Sequence, residues 1–281
     1  MRKPFLVAEI SANHLGSLDR ALALVNEAWL VGADAVKFQT FTPEQMVDED
    51  KVIESGPWAG RRAIDLYREA HTPREWHKPL FECARECGIV AFSSVFHPDD
   101  VDFLETLGCP IYKIASFELT DLRLIAYTAS KRRPLIMSTG MATDREIRRA
   151  LSEAISYGAK NITVLKCTSA YPADASDANL ATLDDMWVTW KWAVGLSDHT
   201  PGIGVAVAAT ALGATVIEKH LTLSHKDGGP DAAFSMEPDE FRQLVTECRR
   251  AAAAIGEVRY GPTPSEAASL ALRRQPGGKR G

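Results

Sequence analysis

Positively charged and hydroxylated side chains recur at one kind of place in this sequence, at the ends of short apolar, β-branched segments. Lys37 and Lys113 stand inside or beside such segments, where burial of an unpaired ammonium group is costly. Serines end several others, for example Ser138 and Ser197. Lysines and hydroxyls that converge on one pocket bind phosphate or carboxylate. The set therefore predicts an anion-binding pocket, although any single member could point into water.

Two histidines, His199 and His220, end two consecutive apolar segments and would lie side by side if those segments are neighbouring strands. Adjacent imidazoles can bind a divalent metal ion, with water or a carboxylate such as Glu9 or Asp231 as a further ligand. Their spacing matches no tight ligand motif. Taken alone, it favours two hydrogen-bonded histidines at strand ends, and the metal site stays an alternative.

The elements that must position these residues alternate along the chain. Apolar segments are separated by segments of helical period, which is typical of parallel βα units. Eight such units predict an α/β fold, a closed (β/α)8 TIM barrel, with reacting groups at the C-terminal ends of the strands. The predicted strands are residues 4–10, 33–39, 89–94, 111–114, 134–138, 161–166, 192–197 and 215–220.

Polar residues at these strand ends form a set that suits an apolar interior poorly, and we expect them to converge at the barrel mouth. Its members are Glu9, Asn13, His14, Lys37, Gln39, Ser93, Ser94, Lys113, Ser116, Glu118, Ser138, Thr139, Lys166, Thr168, Ser169, Ser197, Asp198, His199, Glu218, Lys219 and His220.

The predicted helices include residues 18–31, 73–87, 99–107, 144–157 and 238–255, and Gly88 stands where the second of them should end. The longest connection, residues 41–72, is either a lid or a surface loop with a short helix. We expect the barrel to occupy residues 1–256. Residues 257–281 are then a C-terminal tail, with at most a short helix before a disordered end.

Composition excludes several classes of protein. The 281 residues carry a net charge of −5 and are 46% apolar, which argues against a disordered chain and against nucleic-acid partners. No uncharged stretch is long enough for a membrane span, and the N-terminus does not resemble a signal peptide. The five cysteines form no CxxC motif, so we expect free thiols and a cytoplasmic protein. Dinucleotide and P-loop motifs are missing from the sequence.

Nine motifs in a fixed order make the chain resemble the N-acetylneuraminate (sialic acid) synthase family. The resemblance covers about residues 7–255, and the combination is highly specific. The motifs are AEISANHLG, ADAVKFQTF, YKIASFE, STGMAT, LKCTSAYP, NL, VGLSDHTPG, GATVIEKHLT and GPDAAFS.

The resemblance implies an enzyme that condenses phosphoenolpyruvate with a sugar-like aldehyde. The products would be a 2-keto-3-deoxy sugar acid and phosphate. It further implies a divalent ion bound by His199 and His220, with Mn²⁺ expected in preference to Mg²⁺ or Co²⁺. The metal site thereby replaces the two hydrogen-bonded histidines that the spacing alone favours. The residues implied to hold phosphoenolpyruvate are Lys37, Lys113, Ser116, Ser138, Ser197 and, in a position where some members have Asn, Ser169.

Glu9 and Glu118 match the family's active-site carboxylates. We expect Glu118 to orient and deprotonate the water that adds at C2, and Glu9 to act near the metal or in proton transfer. The residues that match those near the sugar are Gln39, Tyr171 and Asp231.

The sequence departs from the family pattern after the barrel. Most members continue into an antifreeze-like domain that reaches across a dimer and supplies an arginine to the sugar, and we expect this chain to lack that domain. A homodimer is expected from the resemblance, without this domain exchange. Lys166 and Ala232 stand where many members have histidines, so the sequence does not identify the aldehyde substrate.

Two other functions remain open at this stage. A 3-deoxy-ulosonate synthase would use a phosphorylated sugar and would need an additional cationic site. The candidates for that site are Arg61, Arg62 and Arg74. A barrel without catalysis, acting as a binding partner, would bind neither metal nor phosphoenolpyruvate.

Overall fold

The computed structural model describes residues 3–47, 51–56, 58–274 and 277–278. Within these residues, eight parallel strands close into one barrel, and each strand pairs with the strands before and after it in the sequence. The predicted TIM barrel is confirmed, and every predicted strand overlaps an observed one. The strands are β1 (Phe5–Glu9), β2 (Ala35–Thr40), β3 (Val90–Val95), β4 (Tyr112–Ile114), β5 (Leu135–Ser138), β6 (Ile162–Cys167), β7 (Ala193–Asp198) and β8 (Val216–His220).

Helices surround the barrel, and two additional helices lie in the connection after β2. The five predicted helices correspond to observed ones, with bounds that differ by at most one residue. In chain order they are α1 (Leu18–Leu30), α2 (Pro43–Met46), α3 (Ala63–Ala70), α4 (Arg74–Cys87), α5 (Pro98–Thr106), α6 (Leu122–Ser130), α7 (Asp144–Ser156), α8 (Thr182–Trp190), α9 (Gly204–Ala211) and α10 (Pro238–Ile255).

Local sequence explains where these helices begin and end. Thr143 and Glu146 form a capping box that satisfies free backbone N–H groups at the start of α7. Helix α4 ends at Gly88, whose φ of 76° lies in the left-handed region that glycine adopts without a steric penalty. The predicted stop is thus confirmed. The apolar faces of such helices pack on the barrel, whose strands bury residues including Leu6, Phe38 and Phe92.

The described residues of the connection between β2 and α4 include two helices and a short hairpin. Helices α2 and α3 flank a short hairpin in which Val52 pairs with Arg62 in an antiparallel bridge. The Ile53 N–H donates to the Arg61 carbonyl at 3.0 Å, and the Gly60 N–H donates to the Ile53 carbonyl at 2.8 Å. These bonds bring the tip of the hairpin, around Trp58, over the mouth of the barrel.

Beyond α10 the described chain forms an exposed 3-10 helix, Pro264–Leu272. The end of the predicted tail, residues 275, 276 and 279–281, lies outside the described residues. In the part of the chain that the structure describes, no helix is long and apolar enough to cross a membrane. All five cysteines are free thiols, and Cys83 and Cys87 lie on one face of α4, where both approach Asn26.

Candidate active site

The register of the barrel brings polar residues together at the C-terminal ends of the strands. Glu9 on β1 is aligned with Lys37 on β2 and with His220 on β8. Ser197 on β7 is aligned with Glu218 on β8. Because side chains alternate along a strand, Glu218 and His220 point to the same side, into the barrel.

These side chains line a cavity at the barrel mouth. Nine of the thirteen predicted site residues lie on its wall, and Glu9, Glu118, Ser169 and Asp231 lie just outside it. The lining residues are Lys37, Gln39, Ser94, Lys113, Ala115, Ser116, Phe117, Ser138, Cys167, Tyr171, Ser197, His199, Glu218 and His220.

Two lysines and two carboxylates form the charged centre of the cavity. The Nζ atoms of Lys37 and Lys113 lie 3.3 and 3.5 Å from the same oxygen, Oε1 of Glu218. Lys37 also contacts the Glu9 carboxylate and donates to Ser94 Oγ at 3.1 Å. All four charged side chains are almost completely buried, so each depends on the others for its charge balance.

Burial and neighbouring charges shift the pKa values of this centre in different directions. Burial opposes ionisation of Glu218, but Lys113 and Lys37 hold the pKa of its carboxyl at about 2. Burial works against the charge of Lys37, yet Glu218 and Glu9 raise its pKa. Burial raises the pKa of Glu9 and lowers that of Lys113. The two ammonium groups at this centre can donate hydrogen bonds to an incoming anion.

Hydroxyl groups surround the lysines on one side. Ser197 Oγ donates to Glu218 Oε1 at 3.1 Å, while Ser138 Oγ is buried without a partner among the described residues. Ser116 Oγ accepts from the Gly140 N–H at 3.1 Å. A side chain at Gly140 would collide with the hydroxyls of Ser116 and Ser169, so glycine there is required by the close approach of the two loops.

The two predicted metal ligands face each other across the cavity. The ring centroids of His199 and His220 lie 5.5 Å apart. The Nδ1 atom of His199 is 3.0 Å from the Thr168 carbonyl oxygen, which leaves Nε2 available, and Nδ1 of the buried His220 has no hydrogen-bond partner among the described residues. Burial lowers the pKa of His220 well below its ordinary value, so the ring is neutral, the form that binds metals.

A pair of imidazoles fits a divalent ion whose other ligands are water and substrate oxygen. Within the described ranges, no three His, Cys, Asp or Glu side chains are grouped so that they alone could hold a metal ion. His199 and His220 would therefore supply only part of the ligand set of a metal ion.

Aromatic rings and a thiol complete the cavity on the side of the histidines. The Tyr171 ring lies 4.4 Å from that of His199, and the Phe234 ring lies 5.0 Å from that of His220, between centroids. Cys167 Sγ is 4.0 Å from His199 Nδ1. Burial opposes ionisation of Cys167, but His199 lowers the pKa of the thiol to about 7. The cavity thus has a cationic half and an aromatic half.

Glu118 lies beside the cavity, at the end of the short 3-10 turn that follows β4. Burial raises the pKa of its carboxyl to about 7, although its own backbone N–H and the charge of Lys113 work in the opposite direction. Its Oε2 atom is buried without a partner among the described residues. A carboxyl with such a pKa can exchange protons near neutral pH.

Two other predicted residues are joined through Ser11. Gln39 donates to Ser11 Oγ at 3.0 Å, and Ser11 Oγ in turn donates to the Asp231 carboxylate. The Ala12 N–H also donates to Asp231, at 3.2 Å. This network ties the loops after β1 and β8 together and aims Gln39 into the cavity.

Several polar residues expected at the mouth lie elsewhere, and that part of the expectation is wrong. The side chains of Asp198 and Lys219 point outward from the barrel, and the two form an ion pair at 2.7 Å. Lys166 also points away from the cavity and donates to the Cys167 carbonyl at 3.1 Å. Ser93 turns from the cavity to bond Thr40 at 2.6 Å.

The three arginines proposed for a second phosphate all face carboxylates of the chain itself. Arg61 lies 2.5 Å from Glu69, Arg62 lies 3.8 Å from Asp65, and Arg74 lies 3.0 Å from Asp100. Not one of these arginines lines the described cavity. The structure offers no observation in favour of a phosphorylated sugar.

Glu218, Cys167 and Phe234 are the site residues whose roles the sequence did not reveal. Glu218 was expected only as one of many polar strand-end residues. Its place beside His220 could have been found from the alternation of side chains along β8, since residues two apart share a face. Cys167 ends β6 and is aligned with Ser197 on β7, two residues before His199, so the pairing of these strands brings the thiol near the imidazole.

A closed parallel barrel with a cationic, hydroxyl-lined cavity at the C-terminal ends of its strands defines a TIM-barrel enzyme. Residues 24–260 match the model of the NeuB family, and the chain belongs to that family. The family expected from the motifs is thereby confirmed, and the relatives below are named synthases.

A pseudaminic acid synthase of Campylobacter jejuni is 41% identical over 260 residues, which are 91% of this chain and 76% of the relative. An N,N'-diacetyllegionaminic acid synthase of the same species is 36% identical and covers 98% of this chain and 84% of its own length. The crystal structure of an N-acetylneuraminic acid synthetase from Leptospira borgpetersenii, in complex with citrate, is similar with a TM-score of 0.87 and 31% identity. It covers 96% of this chain, and the chain covers 90% of it.

Proposed function

We propose that the chain condenses phosphoenolpyruvate with a sugar-like aldehyde and releases phosphate and a 2-keto-3-deoxy sugar acid. The observation that carries the proposal is the convergence of Lys37 and Lys113 on Glu218 beside a pair of histidines. The names of the relatives, a pseudaminic acid synthase and an N,N'-diacetyllegionaminic acid synthase, support a synthase reaction of this kind.

The cationic half of the cavity suits phosphoenolpyruvate, which carries a phosphate and a carboxylate on a three-carbon enol. Lys37 and Lys113 supply two ammonium groups, and Ser116, Ser138 and Ser197 supply hydroxyl donors. When these lysines bind the substrate, its anionic groups take over part of the charge balance that Glu218 provides. Glu9, predicted to act near the metal or in proton transfer, also contacts the Lys37 ammonium group, and we propose that it holds Lys37 in place.

His199 and His220 would hold the divalent ion, for which we propose Mn²⁺. A bound divalent ion polarises the aldehyde carbonyl and stabilises the negative charge on its oxygen. The lysines and serines hold the enol so that C3 faces the aldehyde carbon. Tyr171, Phe234 and Gln39 line or border the space on that side, where the aldehyde must enter.

Water must add at C2 once C3 has formed its bond, because positive charge then develops at C2. We assign the proton of that water to Glu118, whose raised pKa lets the carboxylate accept it near neutral pH. Cleavage of the bond between C2 and the bridging oxygen then releases phosphate. The balance is one phosphoenolpyruvate, one aldehyde and one water for one keto acid and one phosphate.

Acceptor-dependent release of phosphate tests the proposal. The protein is incubated with phosphoenolpyruvate, Mn²⁺ and a panel of N-acetylated and unsubstituted aldoses, and phosphate and keto acid are measured together. We expect both in equal amounts with at least one aldehyde. Folded protein that releases no phosphate across the whole panel contradicts the proposal, as does release without the keto acid.

The cellular setting is part of the same proposal. Phosphoenolpyruvate is a cytoplasmic metabolite, so we place the reaction in the cytoplasm, where free thiols such as those of this chain are stable. We propose a homodimer as the active form, which a measurement of mass in solution tests directly.

A further inference from the structure

Trp58 occupies the tip of the hairpin that reaches over the barrel mouth. Its carbonyl accepts from the Arg61 N–H at 3.2 Å, and the Ala59 N–H donates to the Gly56 carbonyl at 3.1 Å. With the pairing of Val52 and Arg62, these bonds give the described parts of the hairpin a fixed shape. The indole is half-buried although the residues around it are exposed.

The indole joins the tip of the hairpin to two other loops. Its ring lies 5.7 Å from Tyr171, in the loop after β6, and 6.4 Å from Phe234, in the loop after β8. Its Nε1–H donates to the Pro230 carbonyl at 3.1 Å. Trp58 is therefore the point where the loops after β2, β6 and β8 meet.

Both aromatic partners of Trp58 pack directly against the histidine pair. Tyr171 lies 4.4 Å from His199 and 5.1 Å from Phe234, between ring centroids. Pro230 is followed by Asp231, whose carboxylate is linked to Gln39 through Ser11. A shift of the indole would thus move the whole aromatic half of the cavity.

We propose that Trp58 is a positioning residue that sets the affinity for the aldehyde by holding Tyr171 and the Pro230–Asp231 segment against the histidine pair. This inference rests on the proposed function. The indole itself does not line the cavity, so it acts through these neighbours. The lysines and serines that bind phosphoenolpyruvate have no contact with Trp58 among the described ring contacts and hydrogen bonds, so the two substrates should respond differently.

Steady-state kinetics of Trp58→Ala and Trp58→Phe test this separation. Loss of two ring contacts and one hydrogen bond should raise the KM for the aldehyde about 10-fold in Trp58→Ala. The KM for phosphoenolpyruvate should stay within about twofold, because the cationic half is unchanged. Trp58→Phe keeps a ring but loses the N–H donor, and should fall between wild type and Trp58→Ala. Trp187→Ala, at a 52% exposed tryptophan on α8, is the matched control and should match wild type.

Trypsin cleavage at Lys51, Arg61 and Arg62 gives a readout that does not require turnover. If Trp58 fixes the hairpin, Trp58→Ala should be cut there about 10-fold faster than wild type, since local opening governs the rate. Trp187→Ala should be cut at the wild-type rate. Thermal melting of each variant shows that the barrel itself is folded.

The outcomes separate this inference from the proposed function. An active wild type whose Trp58→Ala variant keeps its aldehyde KM, or loses affinity for both substrates equally, overturns the inference and leaves the reaction standing. A wild type that is inactive with every aldehyde defeats the proposed function. In that case, unchanged cleavage of Trp58→Ala also overturns the positioning role, and faster cleavage supports it.

Discussion

Single residues in this site carry charges that a barrel interior tolerates only in combination. Lys37, Lys113 and Glu218 balance one another through one carboxylate oxygen. Among the described ion pairs none includes Glu118, and burial raises the pKa of its carboxyl to about 7. The two lysines can bind an anion, and Glu118 can accept or donate a proton.

Lys113→Met tests whether this lysine binds phosphoenolpyruvate. Removing one of two buried ammonium groups that face the substrate should weaken phosphoenolpyruvate binding about 100-fold, because a buried charged contact is lost. Calorimetric titration with phosphoenolpyruvate measures this directly. Lys166→Met is the matched control, since that lysine lies near the end of β6 but points away from the cavity, and this variant should bind normally. Equal affinity in wild type and Lys113→Met would remove this lysine from the site.

Glu118→Gln should change the pH dependence of the protein's stability. The folded-state pKa of about 7 lies above the ordinary value of 4.5, so the folded protein holds the proton more tightly. The wild type should therefore lose stability as pH rises from about 4.5 to 7, by up to about 3 kcal/mol. Glutamine carries no charge, so the variant should melt higher than wild type at pH 8 and about equally at pH 4.

The same variant should lower kcat about 100-fold or more, since a positioned proton acceptor contributes at least this much. The wild-type rate should rise as pH approaches 7 and Glu118 ionises. Glu86→Gln, at an exposed glutamate on α4, serves as control and should change neither property. A Glu118→Gln variant with wild-type kcat would exclude the assigned role.

At the scale of elements, the pairing of the strands determines which residues come together, and the packing of the loops determines the distances between them. The register aligns Glu9 with Lys37 and Ser197 with Glu218, so strand pairing alone assembles the charged centre. The serine cluster instead depends on a close contact between the loops after β4, β5 and β6 around Gly140.

Gly140→Ala should disrupt this contact without disturbing the barrel. A methyl group there meets the hydroxyls of Ser116 and Ser169, so these serines must move apart. We expect the KM for phosphoenolpyruvate to rise about 10-fold, as for a lost hydrogen bond to a charged group. Gly204→Ala is the control, because a side chain at that position, the first residue of α9, meets no atom within 4 Å among the described residues. An unchanged KM in Gly140→Ala would show that the serines do not bind this substrate.

The strands were predictable because each is an apolar, β-branched segment bounded by turn residues, and the observed bounds lie within two residues of the predicted ones. Alternation also decides which polar strand-end residues face the cavity. The sequence reading grouped Asp198 and Lys219 with their neighbours, although they lie on the outward face. Trp58 could not be predicted, because its contacts join three loops that carry no periodic signal.

At the scale of the whole molecule, the described residues form one closed barrel with a cavity that has a cationic half and an aromatic half. Binding of an anion to two buried lysines must stabilise the folded state, since the unfolded chain lacks the site. Phosphoenolpyruvate at about 100 times its dissociation constant should raise Tm by about 5 °C. Scanning calorimetry tests this, and Lys113→Met at the same concentration should show a much smaller shift. A Tm that does not respond to phosphoenolpyruvate in wild type would contradict the assigned cavity.

A crystal soaked with phosphoenolpyruvate and Mn²⁺ tests the central claim most directly. Anomalous scattering locates the metal, and difference density locates the three-carbon substrate. We predict a Mn²⁺ peak between the imidazoles of His199 and His220, and substrate oxygens within hydrogen-bond distance of Lys37 and Lys113. A metal bound away from this histidine pair, or a substrate bound outside the reach of both lysines, would contradict the account.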